Sequence, residues 1–296
     1  MNISQETFRY STTGRWLKGN THIHTPASDG GTPMDEVSRM YRGAGYDFLF
    51  RTDHWAAAEW DQLADPAPML WLGGVELNGE DHTGAEYHVV CLGKVLGIKP
   101  EMGFMAAMDS ARHQGALIIL AHPYWMGNTF EDAFRHNFDG CEIYNHVCRW
   151  LNGKSDGAVH WNEMLRIKPS TLGFACDDAH LRPEHPGWNG GWIKVNAPDC
   201  TAEAITSAIR RGNFYSSCGP DFHSIEFDGS RVNIRTSPIQ FVRIVGHGYS
   251  GERIGKFDGS LMTEASMPVP AEWPYAYLEI EDAQGKRAWT NALFAG

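Results

Sequence analysis

An α/β architecture, a parallel sheet or barrel with helices outside and a small all-β appendage behind it, is the expectation from three features of the chain. Its first two thirds alternate β-like runs with helical patterns. Its plainest buried run, Ala116 to Ala121 (ALIILA), is apolar throughout, as a strand covered on both faces must be. Beyond about Pro220 the texture changes to short β-like runs broken by Gly, Asp and Ser. The 296 residues, 42% hydrophobic and 21% charged, suit one large domain with an appendix, divided here as 1–219 and 220–296.

Gly19 to Thr25 reads as a short strand ending in the turn cluster TPASDGG. Thr32 is placed to N-cap a helix with Pro33 at its first position, Val37, Met40 and Tyr41 as its apolar stripe, and Gly43-Ala44-Gly45 as its stop. Tyr46 to Thr52, Met69 to Leu77 and Glu86 to Leu92 follow as strands. Lys99-Pro100 opens a second helix with Phe104, Met105, Met108 and Ala111 on one face, closed by Gly115. ALIILA then delivers His122-Pro123 at its carboxyl end, and Gly140 to Tyr144 and Thr171 to Cys176 give further strands. Asp199 to Gly212 is a last helix, capped by Thr201 or Asp199. The tail offers HSIEF, RVNIRT, FVRIVG, YAYLEIED and RAWTNALF as strands, with no helical period.

Composition narrows the function. A net charge of −11 argues against extended nucleic-acid contact and for a small-molecule substrate. No run approaches the ~20 apolar residues of a membrane span, and the opening residues lack the zones of a signal peptide, so a soluble cytoplasmic protein is expected. Six cysteines with no CxxC pair read as free thiols. The dinucleotide fingerprint, the P-loop and the GxSxG elbow are all absent.

Fourteen histidines are the unusual feature, and position gives them meaning. His22 and His24 alternate along a β-like run, so both imidazoles project from one face toward one ion. Asp53-His54, Glu76, His88, His122 and the pair Asp178 and His180 recur where strands are expected to end, the place where β/α barrels build their sites. Mixed carboxylate and imidazole ligands suit zinc, iron or manganese better than calcium.

The segments NTHIHTPASDG, RTDH, GVELNG, YHVVCLG, LAHP and CDDAH stand in an order that resembles the PHP (polymerase and histidinol phosphatase) metal-dependent phosphoesterases, over about residues 19 to 181. The resemblance implies a distorted (β/α)7 barrel with two or three divalent ions (Zn, Mn or Fe) at its mouth. It implies that His22, His24, Glu76 and Asp178 hold one ion, Glu76, His88 and His122 a second, and Asp29, His54 and His180 a third position. Asp29 stands where some members of the family have histidine, and Arg51 where an apolar residue is common. GNFYSSCGP and the strands behind it are similar to PHP metallohydrolases that include carbaryl-hydrolase-like proteins.

The implied activity is hydrolysis of a small phosphomonoester or phosphodiester by hydroxide bridging two ions, with His180 or Asp53 assisting proton transfer. The alternative is hydrolysis of a carboxylic ester, carbamate or amide on the same cluster; a non-catalytic metal-binding module is the weakest reading. Glu142 is expected to orient a ligand rather than to bind metal. Arg51, and His146, Arg149 and Lys154 in a loop-like stretch, are candidate substrate contacts, each balanced by an ordinary structural or solvated role. Trp188 and Trp192 are expected in the core, with the pocket wall as their alternative, and the remaining histidines, His185 among them, are read as structural or surface residues.

Overall fold

A computed structural model describes residues 3–11, 13–57 and 69–295. Strands β1 (Arg15–Asn20), β2 (Phe48–Arg51), β3 (Leu70–Glu80), β4 (Glu86–Leu92), β5 (Leu117–Leu120), β6 (Gly140–Asn145) and β7 (Leu172–Cys176) lie side by side in chain order. Pairs β1–β2, β2–β3, β5–β6 and β6–β7 are parallel. β4 departs from the expected parallel order, running antiparallel to both β3 and β5. The cause is a tight hairpin: the Asp81 carboxylate accepts hydrogen bonds from the Thr83 and Ala85 amides, and Gly84 adopts φ +81°.

One apolar cluster draws Leu17, Phe48, Leu72, Val90, Ile119 and Phe174 from six of these strands, so the sheet curves round a shared interior. After β1 and β7 the backbone meets again through a parallel bridge, Ile23 to Ala179. No ladder among the described residues closes the run into a barrel.

Helices fill the crossovers: α1 (Met34–Gly43), α2 (Phe104–His113), α3 (Pro123–Met126), α4 (Phe130–Arg135), α5 (His146–Asn152) and α6 (Ala158–Ile167), with α7 (Ala202–Arg210) later. α1 starts one residue later than expected, with Pro33 at the cap position, because the Thr32 hydroxyl donates instead to the Leu181 carbonyl. Lys99-Pro100 opens only a 3₁₀ turn, which Gly103 ends at φ +76° before α2 begins. Residues 146–152, expected as loop, form α5 because the Asn145 side chain caps it, accepting from the Cys148 amide.

β8 (Trp192–Ala197) and β9 (Phe214–Ser217) extend the sheet beyond β1, and β16 (Arg287–Thr290), β15 (Tyr277–Glu281), β12 (Phe241–Val245) and β13 (Gly251–Gly255) continue it to thirteen strands. β10 (Phe222–Phe227), β11 (Arg231–Ile239) and β14 (Met262–Pro268) form a second sheet. The tail is therefore all β, and alternating burial in β11 and β12 aims Val232, Ile234, Val242 and Ile244 into one core shared by both sheets. Its other side packs on α6, with the Trp161 and Tyr277 ring centroids 4.7 Å apart. No helix of the described residues is long and apolar enough to cross a membrane.

Candidate metal centre

β1 stops at Asn20, two residues before the first histidine, and the chain stays extended because Thr52 and Ala179 bracket Ile23 and His24 with backbone bonds. His22 and His24 therefore share a face, with their Nε2 atoms 3.1 Å apart. Glu76 enters from β3, its Oε2 lying 3.0 Å from His22 Nε2 and 3.2 Å from His24 Nε2. Asp178, just past β7, brings Oδ1 to 3.1 Å from His24 Nε2 and 3.3 Å from His22 Nε2. The two imidazole nitrogens thus stand 3.0–3.3 Å from each other and from both carboxylate oxygens, close to the roughly 3.3 Å that tetrahedral bonds of ~2.0–2.1 Å to one ion would set.

The reversal of β4 explains His88. As the third residue of a strand entering from the opposite direction, it reaches the same end of the sheet and places Nδ1 2.8 Å from Glu76 Oε1. His54, bridged to Glu76 through the backbone, completes a group with Glu76 and His88. His122 Nε2 lies 3.5 Å from Glu76 Oε1 and 3.8 Å from Asp178 Oδ2, and His54 stands in the group with Glu76 and His88 where His122 was expected. Asp29 gathers the remaining residues, 3.1 Å from His180 Nε2 and 3.4 Å from His24 Nδ1, with His54 in the same group.

Buried Nδ1 atoms of His24, His54 and His122 make no hydrogen bond. An unpaired buried imidazole nitrogen costs about 1–3 kcal/mol, which an ion would relieve at His24 and His54, whose Nδ1 atoms stand 3.4 Å from Asp29 and Glu76, though not at His122, which meets the cluster through Nε2. His122 and Asp178 also hold left-handed backbone, at φ 28° and 57°, a strain that side chains of this kind adopt rarely and that clusters at functional sites.

The electrostatics agree. Burial opposes charge on His22, yet Asp178, Glu76 and Glu142 hold its pKa well above the usual histidine value. Burial likewise opposes charge on His24, and Asp178 and Glu76 still raise it to about 9. The reciprocal effect of the histidines outweighs desolvation at Glu76, Asp178 and Glu142 and lowers all three carboxyl groups.

Glu142 buttresses His22: one oxygen accepts from His22 Nδ1 at 2.7 Å, the other from the His122 amide and the Asn145 side chain, and with His22 and Cys176 it forms a further group of possible ligand atoms. Asp53, expected to orient a neighbouring ligand or to take part in proton transfer, is in none of the ligand groups and does not line the cavity. Its oxygens are taken up by the Thr25 amide and hydroxyl, the Ser28 hydroxyl and Arg51 Nε, so it fixes the 25–28 turn. Arg51 is thereby spent as a structural ion pair and does not reach the cavity. His146 stacks beneath Gly190 and bonds Tyr144, Arg149 is exposed, and Lys154 lies over the Tyr124 ring; none of the three lines the cavity. Trp188 packs on Tyr41, away from it.

The cavity above the cluster encloses about 240 Å³. A wider concavity of about 830 Å³ between residues 5–11 and the end of α7 contains no histidine or cysteine, so size alone does not mark the site. Residues missed from the sequence are Arg182, His185 and Trp125 at the cavity wall, and Asp177 beneath it. Asp177 accepts from Asn20, Tyr41 and the amides of 189, 190 and 191, fastening the loop after β7 to β1. The doubled acid of CDDAH was the available signal: adjacent residues at a strand end face opposite ways, one to the cluster and one to the scaffold.

No protein-family model and no curated protein matches the chain. Among solved structures, it is similar in fold to a two-domain protein from Bacteroides vulgatus containing a predicted PHP-like metal-dependent phosphoesterase, at TM-score 0.54 and 13% identity over 99% of this chain and 100% of the other. A candidate metal-dependent phosphoesterase from Bifidobacterium adolescentis overlaps 67% of this chain and 98% of its own, at TM-score 0.43 and 11% identity.

Proposed function

We propose that the chain is a metal-dependent hydrolase of the PHP kind that cleaves a small phosphate ester. The observation that carries this reading is the convergence of four buried ligand atoms from His22, His24, Glu76 and Asp178, flanked by the group His54, Glu76 and His88, which shares Glu76 with it, and the group His24, Asp29, His54 and His180, which shares His24. In this reading the first group holds one divalent ion, Glu76 with His88, His54 and His122 a second, and Asp29, His54 and His180 a third position. Zinc, manganese and iron all suit such donors. The ions supply neutralisation of phosphoryl oxygens and acidification of the attacking water near neutral pH.

The chain's own residues do the rest. Glu142 fixes the His22 ring, and the Asp178 carbonyl engages His180 Nδ1 at 2.8 Å, which leaves His180 Nε2 toward Asp29 and the cavity, where it can hold a proton for the leaving group when only the first two positions carry ions. The curved run β1–β7 is read as a distorted seven-stranded barrel, residues 1–219 as the metallohydrolase part and 220–296 as its β-rich flank. A cytoplasmic location and a soluble small-molecule substrate belong to the same reading.

The test is elemental analysis of the purified protein, paired with hydrolysis of a phosphomonoester, a phosphodiester and a carboxylic ester after reconstitution with Zn, Mn or Fe(II). Two or three ions per chain and phosphate-ester turnover that His22→Ala abolishes support the proposal. Turnover of the carboxylic ester alone would transfer the cluster to carboxylic ester, carbamate or amide hydrolysis, as in the carbaryl-hydrolase-like proteins that the tail resembles. Fewer than one ion per chain would remove the centre itself.

A further inference from the structure

Past His180 the chain turns sharply. Leu181 takes φ 49°, and the backbone of Arg182 and His185 exchanges two hydrogen bonds across the turn. Thr32 anchors this turn through the Leu181 carbonyl, and Gly31 through the His180 carbonyl at 2.7 Å. The result is a firm mount that presents Arg182 and His185 at the cavity wall.

Arg182 is the single arginine or lysine among the described residues lining the cavity. Its Nε is buried and makes no hydrogen bond, and its nearest carboxylate, Asp29, stands 3.9 Å from Nη2, too far for one. A guanidinium held by a constrained turn beside a phosphoryl site, with donors to spare, is arranged for an incoming anion. The rest of the lining differs in character: Trp125, Val147, Cys148 and Leu151 are apolar, with Trp125 set edge-on to His122 at 5.3 Å.

Resting on the function proposed above, we propose that the substrate is a compact phosphomonoester of an apolar or aromatic alcohol, its phosphoryl group met by Arg182 and its organic part laid against the Trp125–Leu151 wall. A monoester carries three non-bridging oxygens and a charge near ~−2 at neutral pH, enough to satisfy both ions and a guanidinium; a diester has two such oxygens and a single charge. The volume points the same way. About 240 Å³ is below the ~300–1,000 Å³ usual for ligand pockets, so a second ester arm has little room.

The experiment compares the metal-loaded wild type with Arg182→Ala and Arg182→Lys. It uses p-nitrophenyl phosphate, methyl p-nitrophenyl phosphate and glycerol 2-phosphate as substrates, inorganic phosphate as a calorimetric ligand, and metal content as a control. Expected are a wild-type preference for the aryl monoester and, in Arg182→Ala, a loss of about 10- to 100-fold in monoester kcat/KM and in phosphate affinity. Unchanged metal content, a smaller loss on the diester and partial recovery in Arg182→Lys are expected beside it. Leu151→Ser is expected to narrow the preference for aryl over glycerol phosphate. Wild-type turnover with unchanged phosphate affinity in Arg182→Ala, or a preference for the diester or glycerol phosphate, would overturn this inference while leaving the phosphoesterase reading intact. Loss of metal in Arg182→Ala would overturn it too, by making the residue a support of Asp29. A metal-loaded wild type that hydrolyses no phosphate ester would overturn both.

Discussion

Glu76 touches more of the cluster than any neighbour: Oε2 faces His22, His24 and His54, while Oε1 faces His88 and His122. Its partner Glu142 works one layer out, and removing that charge tests how far orientation matters. Glu142→Gln is expected to weaken metal binding by about 10- to 100-fold with the fold retained, read by competition against a chromogenic chelator. Protonation gives a second prediction. His24 is raised from 6.5 to about 9, so the stability it contributes to the metal-free chain is complete below about 6.5 and is lost as pH rises through 9, on the order of 3 kcal/mol. Chelator-treated protein should therefore unfold at progressively lower denaturant between pH 6.5 and 9. The metal-loaded form should move the opposite way, because an ion binds only the neutral ring.

At the scale of elements, the loop after β7 depends on close approach. A Cβ on Gly190 would run into the His146 ring while the Gly190 amide must still reach Asp177. Gly190→Ala is expected to cost about 1–3 kcal/mol and lower Tm by about 3–10 °C, measured by calorimetry. Strand positions were legible because burial writes itself into local sequence: Glu86–Leu92 has the bounds that its apolar run predicts. α5 and α6 were not anticipated, although Ala158, Trp161, Met164 and Leu165 carry a helical stripe. Gly153 and Gly157 lie in the short connection between the two helices. The direction of β4 was illegible for a different reason. Its apolar run is the same read forwards or backwards, and only the Asp81–Gly84 turn decides. Most of the cluster could be read from strand ends, whereas Arg182 and His185 could not, since a turn without periodicity does not say which way its side chains point.

Across the whole molecule, the sheet does not respect residue 219. β9 is hydrogen-bonded to β8 on one side and β16 on the other, and Trp161 is fully buried against Tyr277. A chain cut after Gly219 would bare the β9 edge and the apolar face of Tyr215, and it is expected to aggregate rather than yield a folded enzyme, as size-exclusion chromatography would show. Trp161→Ala is expected to destabilise the intact chain by about 3–5 kcal/mol, with one unfolding transition retained in a denaturant titration. None of this pairing was visible beforehand, because contacts between β9 and β16 join residues some seventy positions apart that share no local pattern.

The pairing of the first described segment with the last carries a temporal consequence. Arg9 donates to the Leu293 carbonyl and Ala295 to that of Thr7, and Asn291 reaches back to Gly173, Gly212 and Phe214. A ribosome adding ~5–20 residues per second takes roughly a quarter of a minute to a minute to span that interval. Gly173 and Phe214 precede Asn291 by 118 and 77 residues, so β7 and β9 wait for roughly 4–24 s of that time with amides unanswered and aromatic faces uncovered. The sheet is therefore completed only once residues 287–295 have been made, and chaperone dependence during synthesis should fall most heavily on this stretch.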